Sequence, residues 1–138
     1  MAILSIDASR TTVAQRTGTE IYALALIRAM LKLHTPYHFR LYFRDQPPLN
    51  LLPENRLIEH RVINVPWLWS HVGLAWELAR HPPDGLFIPS HIRPVFCRAR
   101  TVVTVHDLGY LHFPHSHPWW QRTYLDLATR YSARRAEH

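Results

Sequence analysis

The sequence predicts an α/β fold, a doubly wound and mostly parallel sheet with strand order 3-2-1-4-5. Short apolar runs closed by a polar residue alternate with segments of helical spacing, which is the pattern of strands joined through helices. One run, Thr101-Val-Val-Thr-Val-His-Asp-Leu-Gly109, is nearly continuous in β-branched residues, as expected of a parallel strand covered on both faces. Right-handed crossovers between such strands then give the order.

The elements follow in turn. Ala2 to Ile6 is a buried first strand closed by Asp7, whose carboxylate is expected to emerge at the carboxyl end. A polar loop, Arg10 to Thr17, leads to Gly18-Thr19-Glu20, which opens a mostly buried helix whose one narrow stripe is Glu20, Leu24, Arg28 and Lys32. Thr17 or Thr19 can cap it, and Gly18 lets the backbone approach a ligand closely. Phe39 to Asp45 alternates strictly and predicts a strand with one better-covered face, further from the sheet centre. A proline-rich connection, Pro47 to Pro53, precedes a third strand at Arg61 to Val65, stopped by Pro66. Ser70 can cap a helix burying Val72, Ala75, Trp76 and Ala79, which Pro82-Pro83 ends. Gly85 to Ile88 is the fourth strand, ending in polar Ser90-His91. The valine-rich run is the fifth, ending at His106-Asp107. After the loop Leu111 to Pro118, Pro118 starts a last helix with Trp120, Tyr124, Leu127 and Tyr131 inward and Arg122, Asp126 and Arg130 on its outer side. A further strand should follow this helix, so the architecture reads as truncated: one domain over 1–138, with no internal repeat.

Composition narrows the function. The chain has 138 residues, 47% hydrophobic, and a net charge of +6, so it carries one ordinary core and favours an anionic partner. Nucleic acid, an anionic membrane surface and a phosphorylated small molecule all satisfy that charge. The lone Cys97 excludes an internal disulfide and a thiolate metal cluster and fits a reducing compartment. The N-terminus lacks the pattern of a signal peptide and no apolar run approaches membrane-spanning length, so the expected location is cytoplasmic, with peripheral contact to the inner face of the membrane left open.

Several residue groups carry potential chemistry. Strand, loop, Gly18 and helix follow in the order an anion-binding turn requires, but neither the dinucleotide nor the P-loop glycine pattern is present. A plain turn glycine is the ordinary alternative. His106-Asp107 at a strand's carboxyl end stands where ligands of open α/β sheets bind, and an imidazole there can donate to a sugar or phosphate oxygen. The alternative is a histidine tied to a neighbouring carbonyl. His112, His115 and His117 sit in a proline-containing loop without the i, i+4 helical spacing that fixes two imidazoles on one ion, so no metal site is expected. Ser90 lacks the elbow of a nucleophilic serine. Trp67, Trp69, Trp76 and Arg80 suit either a headgroup-facing helix or a core with Trp76 inside and Trp67 and Trp69 over a loop. Dispersed arginines without a recognition motif argue against nucleic acid.

Taken together, Ile6-Asp-Ala-Ser9, Arg16-Thr-Gly-Thr-Glu-Ile-Tyr22, Tyr42-Phe-Arg44, Trp76-Glu-Leu-Ala79 and Val102-Val-Thr-Val-His-Asp-Leu-Gly109 resemble the amino-terminal half of a family 4 retaining glycosyltransferase. The resemblance implies one Rossmann-like domain of a two-domain GT-B architecture, the one that mainly binds the acceptor and closes over a nucleotide-sugar donor. By that resemblance Gly18 and Thr19 approach the donor diphosphate or the transferred sugar, and His106 is the catalytic-site histidine contacting that sugar. Asp107 and Arg16 shape the cleft, and Tyr110 and His112 lie on the acceptor side. No cofactor or metal is implied. Two departures stand out: Gly18-Thr19 replaces the two glycines of many members, and the carboxyl-terminal donor-binding domain is missing. The isolated chain is therefore expected to be inactive unless a separate chain carries that domain. A noncatalytic sugar-, lipid- or protein-binding module is the alternative.

Overall fold

Parallel strands in the predicted order form the centre of the molecule. The computed structural model describes residues 1–90, 92–113, 115 and 117–137. Strands β1 (Ile3–Asp7), β2 (His38–Phe43), β3 (Ile58–Val62), β4 (Gly85–Ile88) and β5 (Arg100–Val103) make one sheet, ordered β3-β2-β1-β4-β5, with every neighbouring pair parallel. The helices are α1 (Gly18–Leu31), α2 (Ala75–Arg80), α3 (Gly109–His112) and α4 (Trp119–Arg135), and a π-helical turn, Ser70–Leu74, runs directly into α2. Of the expected features, His91 after the fourth strand, Pro114 and Ser116 in the loop Leu111 to Pro118 after the fifth, and the terminal His138 lie outside the described residues.

Each face of the sheet has its own core, because successive strand residues point to opposite sides. Ile6, Phe39, Leu41, Phe43 and Phe87 pack under Leu24, Ile27 and Leu31 of α1. On the other face Tyr42, Leu86 and Ile88 meet Trp69, Leu74, Leu78 and Cys97. Trp69 is anchored there by its indole N–H, which donates to the Ile63 carbonyl at 2.8 Å, and by the Arg44 guanidinium 5.5 Å from its ring centre.

The structure corrects the sequence reading in several places. The valine-rich run forms a strand only from Arg100 to Val103, and β5 is an edge strand with Val102 and Val105 exposed, so it is not covered on both faces. The third strand lies three residues earlier than expected, in register with β2 from Phe39↔Ile58, while Ile63 and Val65 leave the sheet to pack against the second core. β2 itself is buried on both faces, since Arg40 is held by Glu59 (Nε to Oε2, 2.8 Å) and by the His81 carbonyl. Asp7 stays buried inside β1 instead of emerging, under a turn in which Thr11 N–H reaches the Ala8 carbonyl.

The helices correct the reading too. In α1, Ala23, Leu24, Ile27 and Leu31 face the sheet with Glu20, whereas Ile21 and Tyr22 are exposed, because a single helical layer has one buried side. The helix from Ser70 buries Gly73, Leu74, Ala75 and Leu78 and turns Val72 and Trp76 outward. Gly73 causes that rotation: a Cβ there would stand 2.8 Å from Ile63 Cγ2, so this side of the helix lies directly on the strand-end residues. Trp69, not Trp76, is therefore the core tryptophan. α4 buries Thr129 and Ser132 and leaves Trp120, Tyr124 and Leu127 exposed. Its inner side meets the β4–β5 connection, an irregular stretch with backbone groups to satisfy. The Ser132 hydroxyl accepts the Arg93 N–H at 3.0 Å, and the Tyr131 hydroxyl donates to the Val95 carbonyl. Asp126 and Arg130 pair as expected, Oδ2 to Nε at 2.8 Å.

Candidate functional site at the carboxyl rim of the sheet

β1, β4 and β5 all end at one rim, and the segments that follow them meet there. Beyond β5 the backbone carries Thr104 and His106 across the end of β4, with Thr104 N–H donating to the Ile88 carbonyl at 2.9 Å. His106 Nε2 lies 2.7 Å from the Pro89 carbonyl oxygen. A carbonyl only accepts, so Nε2 carries the proton in that bond, and the ring clasps the β4 end to the segment after β5. From the other side α1 brings Tyr22, whose ring stands edge-on to His106 with centroids 4.9 Å apart and planes at 88°. The Tyr22 hydroxyl is 3.4 Å from Thr104 Oγ1. Tyr22 follows Gly18 by four residues, one helical turn, so the glycine turn and the histidine share one rim.

Local chemistry explains how the turn is held. Thr17 is the cap of α1, and the Glu20 carboxylate accepts both the Thr17 N–H (2.9 Å) and the Thr17 hydroxyl. The hydroxyl bond is the main reason the Glu20 carboxyl titrates below its usual range, against burial that would raise it. Arg10 stands 3.7 Å from Glu20, and Arg16 donates twice to the Thr11 carbonyl, at 3.3 Å from Nε and 3.1 Å from a terminal nitrogen. Arg16 thus braces the loop ahead of the helix. The first turn of α1 already holds a carboxylate of its own, which offsets part of the positive helix end. Gly18 is exposed, and nothing lies within 4 Å of where its Cβ would be. Among the described residues no side chain fills that space, and Thr19 beside it is half-buried. Beneath the turn, burial pushes the Asp7 carboxyl up, and its bonds from Ser9 with the charges of Arg44 and Arg10 lower it only in part.

The remaining expected site residues lie beyond His106. Asp107 is exposed and its Oδ1 accepts the Gly109 N–H at 2.9 Å, closing the turn that starts α3. Tyr110 is buried and, with Asp107, His117, Leu125 and Thr129, lines a small cavity of about 80 Å³ between α3 and α4, while His112 is exposed. Among the described residues no three His, Cys, Asp or Glu side chains come together in a way that could hold a metal ion. Cys97 is buried, and its carbonyl accepts from Arg93 at 2.7 Å. Tyr22 and Thr104 enter the sequence reading only within the stretches that carry the resemblance, with no role of their own, and Pro89 is not singled out. The one signal for Tyr22 was its place a single turn after Gly18; nothing local marked Pro89 or Thr104, whose roles arise from strand order.

No protein-family model matches the chain, and neither a curated protein nor a solved structure matches it.

Proposed function

We propose that this chain is the acceptor-side, Rossmann-like part of a nucleotide-sugar-dependent glycosyltransferase, working with a donor-binding domain. What supports the reading most is the contact between Tyr22 and His106, since it puts the open turn at Gly18 and an imidazole on one rim of a parallel sheet. Such a crevice, beyond the carboxyl ends of the strands, is where open α/β sheets take their ligands. In the reaction a bond forms between an acceptor hydroxyl oxygen and the anomeric carbon, the bond from that carbon to the diphosphate breaks with its electron pair leaving on the nucleoside diphosphate, and the hydroxyl proton passes to the departing diphosphate oxygen. Gly18 and Thr19 offer backbone donors to that leaving charge. His106, its ring oriented by Pro89 and Tyr22, positions the sugar; Nε2 engages the Pro89 carbonyl, which suits a positioning role better than proton transfer from that atom. Asp107 shapes the loop, with Tyr110 and His112 toward the acceptor.

Uridine, guanosine and adenosine diphosphates titrated into the isotope-labelled chain test this. Binding by one of them in the millimolar range, with shifts at Gly18, Thr19 and His106, is expected, weakened about tenfold by His106→Ala in a variant that circular dichroism shows to be folded. Saturating diphosphate that leaves those signals unmoved overturns the proposal. Glu20, already seated in the first turn of α1, favours the second reading, a noncatalytic sugar-binding module. Binding of a sugar without any diphosphate would select it.

A further inference from the structure

We infer that the outer surface formed by α2, α4 and the β4–β5 connection docks onto an anionic lipid bilayer, independently of whether the rim transfers sugar. The two helices lie side by side. His71, in the π-turn ahead of α2, meets Tyr124 of α4 at 3.2 Å, and further along Ala79 and Tyr131 border one groove. Val95 and Phe96 of the β4–β5 connection enter that groove, and Val95 also borders a second hollow with Tyr124 and Leu127. These same elements expose Trp76 (65%), Phe96 (81%) and Leu127 (63%), large apolar side chains of the kind that mark an interaction surface.

The backbone adds a second indication at the start of the same helix. Leu68 has φ of 47°, the single non-glycine residue in the left-handed region among those described. Its carbonyl accepts from His71 and Val72, so the strained residue is locked into the first turn while Trp67 and Leu68 project outward. A left-handed leucine that ends up exposed gains nothing from core packing, whereas an apolar tip held outward is what a lipid-inserting surface uses.

Charge decides the occupant. Arg80 at the end of α2, which lies over the Trp76 ring, and Arg98 and Arg135 at the groove are exposed, and no described carboxylate pairs with them. The acids of the two helices are already engaged, Glu77 by Arg61 and Asp126 by Arg130. Aromatic side chains flanked by unpaired arginines fit a bilayer carrying anionic headgroups better than they fit an apolar protein partner. No described helix is long and apolar enough to cross a membrane, so docking is to the surface.

Sedimentation of the chain with vesicles of equal parts phosphatidylcholine and phosphatidylglycerol, with tryptophan fluorescence read in parallel, tests the assignment. Binding with a blue shift is expected, and phosphatidylcholine alone should bind far less. Trp76→Ser with Phe96→Ser should weaken partitioning by about tenfold or more, and each of Arg80→Gln and Arg98→Gln by about fivefold. Leu49→Ser, which removes an exposed apolar side chain from the β2–β3 loop, should change nothing. Circular dichroism of each variant keeps misfolding separate from lost docking. Equal binding to neutral vesicles, no binding, or unchanged binding by the Trp76/Phe96 variant overturns the inference. So does a dimer in sedimentation velocity that this variant dissolves, which would give the surface to a second copy.

Discussion

Two glycines of this chain have opposite surroundings, and substitution separates their roles. At Gly73 an added methyl group meets Ile63 Cγ2 at 2.8 Å and Val65 at 3.2 Å, β-branched side chains with little freedom to yield. Gly73→Ala is expected to destabilise the fold by about 1–3 kcal/mol, overpacking outweighing alanine's better helix propensity. At Gly18 nothing is within 4 Å, so Gly18→Ala should leave urea stability unchanged or raise it by up to about 1 kcal/mol. Any loss of diphosphate binding in Gly18→Ala then reflects crowding of the turn and not a damaged fold. A stable Gly73→Ala would show that the helix can move off Ile63, contrary to the packing described.

Between elements, the clearest link is electrostatic. Glu59 of β3 accepts from Arg40 of β2 at 2.8 Å and from Arg61 at 2.6 Å, and Arg61 continues to Glu77 of α2. Burial by itself would raise the Glu59 carboxyl, but the two arginines outweigh it and bring it from 4.5 down to about 2. The unfolded chain therefore takes up a proton on Glu59 before the folded one does. Its stabilisation is complete above pH 4.5 and is lost as pH falls through about 2. Melting temperature followed against pH should drop across that window in the wild type and less steeply in Glu59→Gln. Parallel curves for the two proteins would show that the network is not what resists acid on this edge. The network also gives β3 charged cover at the sheet's outer edge, where an uncovered strand invites pairing with other chains.

At the scale of the molecule, the rim depends on residues far apart in the chain. Tyr22 and His106 meet only because β1 and β5 flank β4. A double-mutant cycle on Tyr22→Ala and His106→Ala should give a coupling of about 0.5–1.5 kcal/mol in stability, as for an edge-to-face ring pair. Additive losses would mean that the two rings do not hold α1 to the β5 end. On the α1 side of the sheet a groove of about 500 Å³ runs over β4 and β5, lined by Leu26, Met30, Phe87 and Val102 among others. α1 covers β1 and β2 and leaves this half of the face open. At its margin the Glu137 N–H donates to the Thr101 carbonyl at 2.8 Å, on the outer edge of β5.

The alternation of strands and helices, their parallel order, the Gly85–Ile88 strand, a threonine cap at Thr17 or Thr19 and the Asp126–Arg130 pair were all legible in the sequence. These follow from signals within a few residues or from the handedness of crossovers. Only tertiary structure decided which side of each helix is buried. Trp76, Trp120 and Leu127 satisfy the spacing of an inward stripe, yet Gly73 and Ser132 offer closer packing and turn them out. It likewise decided that β5 is an edge strand and that Tyr22, Pro89 and His106 form one cluster. Apolar periodicity records that a residue can be buried; the shape and polarity of what lies opposite select which residue is.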